Sequence, residues 1–214
     1  SSCTFDVIVN DTEDPTITCV NDVTMNNDTG ECFATTTLTP PTATDNCNIP
    51  GNALDFDGVN DFVTIPDNSM LDLLNGWTLE TWVKRDVSGA QHSLIEKYDW
   101  TSGQGSYILR IAPGGQAQGF TIFGTYSNSV TGSTVLNPGT WYHLATTFDP
   151  IGNSLKVYVN GVLDGTNNAA TINPASSTYP VKLGSRGNDN GSLLNGSMDE
   201  VRIWNITRTQ AEIQ

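Results

Sequence analysis

From residue 52 onward the chain is a succession of short segments in which apolar and polar residues alternate, each closed by a turn rich in Gly, Asn, Asp or Pro. A period of two is the signature of half-buried β-strands, because successive side chains on a strand point to opposite faces. The strings are ALDFDG (53–58), DFVTIP (61–66), WTLETWVKRD (77–86), HSLIEKYDW (92–100), SYILRIAP (106–113) and GFTIFGTY (119–126), followed by WYHLATTFD (141–149), SLKVYVNGVLDG (154–165), VKLGS (181–185) and SMDEVRIWN (197–205). Asn160-Gly161 sits between Tyr158-Val159 and Val162-Leu163, a hairpin signal, since a type I′ turn needs φ > 0 at both central positions. Many short strands with polar turns predict an all-β chain folded as an antiparallel β-sandwich or jelly roll. The one helix signal is the capping-box pattern Thr209-Gln-Ala-Glu212.

Charge is distributed unevenly. The 214 residues hold 9 Lys+Arg and 23 Asp+Glu, and the first base is Lys84, so residues 1–83 carry the whole net charge of −14. Nucleic acid is therefore excluded as a partner, since phosphate recognition needs a basic footprint. An anionic membrane surface is excluded on the same ground, and no apolar run reaches the ~20 residues of a spanning helix. The chain reads as a soluble piece of a longer, processed protein.

Cys3, Cys19, Cys32 and Cys47 all lie in the first quarter, and their spacing lacks the close pairs of a zinc ribbon. Disulfides and an oxidising compartment follow, with three possible connectivities. Around them, CTFDVIVNDTEDPTITC (3–19) and GECFATTTLTPPTATDNC (30–47) resemble the joint between two hyalin (HYR) repeats and the middle of one, so that residues 1–50 read as a partial Ig-like disulfide module. The resemblance breaks off after Cys47. It implies Cys19–Cys32 within the repeat and leaves Cys3–Cys47 as the second pair.

Residues 51–214 resemble the laminin-G-like, concanavalin A-type lectin/glucanase jelly rolls of extracellular polysaccharide-binding proteins and pentraxins. The resemblance is carried by LDFDGVNDFVTIP, WTLETWVK, WYHLATTFD, LKVYVNGVLDG and LNGSMDEVRIWN. It fixes a fold and not a ligand.

A glycosidase would need two carboxylates flanking one bond, and neither Glu80 nor Glu96 has an acid at i+2, while Asp199 and Glu200 are adjacent on a strand. His92 and His143 assemble no triad. The chain is therefore expected to be non-catalytic. For calcium, Asp57, Asn60 and Asp61 offer oxygen donors around a glycine turn, and Asp199 shares nominal parity with Val201 and Ile203 and should point inward. The resemblance implies Asp57 and Asp199 as ligands.

A sugar site wants aromatic faces and planar polar groups. Parity puts Glu80, Trp82 and Lys84 on the open side of one strand and Ser106, Ile108 and Arg110 on the open side of another, and these are expected to share one face. Lys97, Trp100, Tyr126 and Arg186 fall near strand ends or loops. Lys84, Lys97, Arg110 and Arg186 suit an acidic or sulfated glycan. Two functions remain in view: a secreted or cell-surface carbohydrate-binding module working with other domains of its parent protein, and an extracellular adhesion or spacer module acting through protein contact.

Overall fold

The computed structural model describes residues 16–18, 42–44, 53–99, 104–187 and 190–213. The chain divides into two compact units, Ser1–Asn52 and Ala53–Gln214. In the first, strand β1 (Thr16–Thr18) pairs antiparallel with β2 (Thr42–Thr44), Thr16 opposite Thr44. The four cysteines, their pairing and the hyalin-like motifs lie outside the described residues.

The second unit holds β3 (Leu54–Asp57), β4 (Val63–Ile65), β5 (Trp77–Arg85), β6 (His92–Asp99), β7 (Gln104–Ile111), β8 (Ala117–Phe123), β9 (Tyr126–Thr131), β10 (Tyr142–Asp149), β11 (Ser154–Val159), β12 (Val162–Asn167), β13 (Val181–Leu183), β14 (Asn195–Trp204) and a short helix α1 (Gln210–Ile213). They form two six-stranded sheets. Sheet I runs β12-β11-β10-β5-β14-β3, and sheet II runs β4-β13-β6-β7-β8-β9. All pairings are antiparallel, giving the jelly-roll-like sandwich that alternation predicts.

The core lies between the sheets. Trp77, Leu79 and Val83 of β5, Leu144 and Phe148 of β10, and Met198 of β14 face Leu94, Tyr107, Leu109 and Ile111 of sheet II. Trp77 joins the layers, its ring centroid 5.9 Å from both Tyr107 and Phe148. Phe56 is buried as expected, whereas Leu54 on the same edge strand stays exposed because little covers the margin of the sheet. Asn160 and Gly161 take φ of 50° and 75°, the mirror-image turn that the dipeptide demands. Thr209 donates its N–H to the Glu212 carboxylate at 2.7 Å, and Ile213 packs on Ala145 and Tyr158 against the outer side of sheet I.

Two departures have physical causes. The string around 119–126 is a hairpin, not one strand: β8 turns at Gly124 (φ 60°) into β9, which is polar apart from Val130 and so carries little alternation. In β14 the pairing with β5 steps from Asp199 opposite Trp82 to Arg202 opposite Glu80, so one extra residue is accommodated, with Glu200 at φ 51°. This bulge reverses the parity of everything that follows it.

Candidate functional site

Outward positions of β6, β7 and β8 line a groove of about 620 Å³ on sheet II. The register places Glu96 beside Ile108 and Ile108 beside Phe120, with Arg110 opposite Gln118 one step further along. Gly105 lies opposite Tyr98, and a side chain there would meet the tyrosine ring, so glycine lets that ring lie flat against the neighbouring strand. Tyr98, Ile108, Phe120 and Ile122 form the apolar wall; Gln91, Thr125 and Ser127 add polar groups.

Arg110 crosses this wall with its guanidinium 4.3 Å from the Phe120 ring centre, while its Nε donates to Gln118 Oε1 at 2.9 Å. Gln118 in turn donates to Thr131 Oγ1 at 2.8 Å, which fixes the arginine from two strands away. Arg186 reaches the same groove from the segment after β13, donating to Ser192 Oγ at 3.0 Å. Burial pulls Arg110 below its ordinary value, opposed by the Glu96 charge, and Arg186 adds to the lowering by repulsion.

Glu96 forms the floor and is 1% exposed. Its Oε2 accepts from the Gly187 N–H at 3.3 Å, and its Oε1 is buried without a hydrogen-bond partner. Burial pushes the carboxyl up, against the pull of Ser93, Gly187 and the two arginines. Two guanidiniums beside a wall of rings, over a buried carboxyl, can grip an anionic group and an apolar face of one small ligand.

The expected residues separate into four groups. Arg110 and Arg186 come together here. Trp82 and Lys84 do point outward, but from sheet I, so they lie on the opposite side of the sandwich from Arg110 and the single open face is two. Lys97 is not a surface cation. The register sets it opposite the core residue Tyr107; it is fully buried, 2.5 Å from Asp67 and 3.5 Å from Asp72, and donates to the Tyr179 carbonyl at 2.9 Å. Tyr126 is exposed but has the opposite parity to groove-lining Ser127, and Trp100 lies outside the described residues. Glu96, Tyr98 and Phe120 escaped sequence reasoning because only strand register reveals that they adjoin Arg110.

The expected calcium donors do not form one site. Asp57 Oδ1 accepts from the N–H groups of Val59 (2.7 Å) and Asn60 (3.2 Å), and Asp61 Oδ2 accepts from Asp57 N–H at 3.0 Å. These bonds hold the Asp57 carboxyl below its ordinary value. Across the sheet from Asp57 stands Asn195, and Asp199 is four residues further along β14, about 13 Å at ~3.3 Å per residue. Asp199 also faces outward beside Trp82, not inward, because the bulge shifts the parity on which the expectation rested. Among the described residues no three His, Cys, Asp or Glu side chains converge as a metal cluster.

Residues 57–214 match the family profile of the concanavalin A-like lectin/glucanases superfamily, of laminin-G type. The chain belongs to that family. No curated protein sequence matches it significantly. Among solved structures, this laminin-G-type chain superposes on a Bacteroides ovatus protein described as carbohydrate-binding (TM-score 0.59, 19% identity, 75% of this chain and 45% of that one). It also matches the CBM40 of the Ruminococcus gnavus IT-sialidase bound to α2,3-sialyllactose (TM-score 0.61, 14% identity, 75% and 95%). A third is a structure of botulinum neurotoxin type C, whose cell entry depends on two ganglioside molecules (TM-score 0.56, 13% identity, 71% and 38%). The chain thus spans less than half of the first and third. At these identities the likeness is one of fold.

Proposed function

We propose that this laminin-G-type domain is a non-catalytic glycan-binding module that takes an acidic sugar in the sheet II groove. The observation that carries the reading is the meeting of Arg110 and Arg186, 76 residues apart in sequence, over one aromatic wall. A carboxylated sugar satisfies the guanidiniums, and its apolar side lies on Phe120 and Tyr98. Fold neighbours that hold sialyllactose or depend on gangliosides support a glycan of this kind. The module would act in a secreted or cell-surface protein alongside other domains; among the described residues no helix is long and apolar enough to cross a membrane.

Affinity electrophoresis against sialylated, uronate-containing, sulfated and neutral glycans tests this. Retention on an acidic glycan is expected, with Arg110→Ala weakening it about tenfold to a hundredfold, the scale of a charge-assisted hydrogen bond pair. Equal retention of the variant would overturn the site. Retention of the wild type on no glycan would favour the adhesion reading.

For calcium, the proposal narrows to the Asp57–Asp61 turn. Millimolar calcium should raise the melting temperature of the metal-free protein if the ion binds only the folded turn, and Asp57→Asn should remove that rise. Identical melts with calcium and with chelator would exclude a calcium role.

A further inference from the structure

The outer face of sheet I carries a second feature of different chemistry. Trp82 on β5 is 40% exposed and Trp141, just before β10, is 38% exposed; Trp204 on β14 is partly buried. Strand order makes β14, β5 and β10 adjacent. Trp204 sits opposite Thr78, Trp82 opposite His143, and Lys84, two residues beyond Trp82, lies 5.7 Å from the Trp141 ring centre. The three indoles therefore step diagonally across three strands, over about 20 Å at ~3.3 Å per residue of β5. A cavity of about 780 Å³ opens between Trp82 and Trp204.

Each ring is held. Trp204 donates its indole N–H to Glu80 Oε1 at 2.5 Å and is backed by the Arg208 guanidinium 4.1 Å from its centre. Trp82 leans on His143, centroids 5.5 Å apart, and His143 Nε2 stands 3.4 Å from Glu80 Oε2. The charges along this line are mixed in sign: Glu80 accepts from Trp204 and lies beside His143, Arg202 pairs with Glu200, Asp199 accepts the Glu200 N–H beside Trp82, and Lys84 lies near the Trp141 ring. This contrasts with sheet II, where two arginines converge.

We propose that this tryptophan diagonal is a second glycan site, for an extended neutral polysaccharide lying across sheet I, so that the module engages two chemically different glycans on opposite faces. Pre-fixed rings at the surface suit the apolar faces of successive pyranoses, and a strip of mixed charge suits a ligand without charge. This goes beyond the acidic-sugar reading and does not depend on it.

The test is native affinity electrophoresis of the whole chain in gels containing soluble neutral polysaccharides, namely a mixed-linkage β-glucan, a xylan and a galactomannan. At least one should retard the wild type. Trp82→Ala should weaken that retardation at least about tenfold, as loss of a central aromatic anchor does, while leaving acidic-glycan retention unchanged. Arg110→Ala should give the converse. Trp141→Ala, at an exposed ring outside the strands, provides the same test should Trp82→Ala fail to fold. Retardation by none of the three, or retardation indifferent to both tryptophan substitutions, would overturn the second site even where the acidic-sugar site stands.

Discussion

Lys97→Ala is expected to cost about 3–5 kcal/mol and to lower the melting temperature by about 10 °C or more, the scale seen when one member of a buried charge set is deleted. The Lys97 side chain has no exposed surface, while those of Asp67 and Asp72 are 33% and 14% exposed. Removing the ammonium leaves two carboxylates facing a void and frees the Tyr179 carbonyl, which together tie the 67–72 and 179 loops to β6. Thermal melts should show the loss, and Lys97→Met combined with Asp67→Asn and Asp72→Asn should recover most of it, because a neutral set no longer leaves a charge unanswered. Acidic-glycan retention measured below the lowered melting temperature should be unchanged. A melt within 2 °C of wild type, on a scale of about 2–4 °C per kcal/mol, would show that the cluster contributes little.

The second large effect is expected at Gly187. A Cβ built there falls 1.7 Å from the Tyr98 carbonyl oxygen, a backbone atom that cannot turn away. Gly187→Ala must push its segment off β6. The Gly187 N–H to Glu96 hydrogen bond goes with it, and Arg186 is drawn out of the groove. A stability loss of about 1–3 kcal/mol is expected from overpacking, together with near-complete loss of acidic-glycan retention, although alanine adds only a methyl group. Retention on neutral polysaccharide should survive, because the tryptophan diagonal belongs to the other sheet. Wild-type affinity for acidic glycans in this variant would show that the groove does not depend on the segment that carries Arg186.

Local rules sufficed for much of the fold. Alternation located most strands of the second unit, and Asn160-Gly161 named its turn, because both depend on neighbours in sequence. The site was less legible, for reasons visible in single residues. Parity along its own strand puts Arg110 on an outer face, yet parity says nothing of which sheet a strand joins, so it sets Trp82 and Arg110 side by side where the sandwich holds them apart. Lys97 reads as a surface cation in sequence because its partners, Asp67 and Asp72, lie 25 to 30 residues earlier, in a stretch without regular strands. Glu96 looked like an ordinary strand acid until the register set it beside Ile108, in the groove that Arg110 and Arg186 enter.

The bulge in β14 has an evolutionary consequence. Met198 faces the core and Trp204, six residues later, faces solvent, which an uninterrupted strand forbids. Pairing the same residues without the bulge would set Trp204 opposite Trp77 and turn it inward, whereas removing one residue near Glu200 would close the bulge and keep Arg202 opposite Glu80 and Trp204 opposite Thr78, so that end of the tryptophan diagonal survives. A single-codon insertion taken up as a bulge thus preserves what such a strand displays beyond it, and a strand one residue shorter can present the same surface without the bulge.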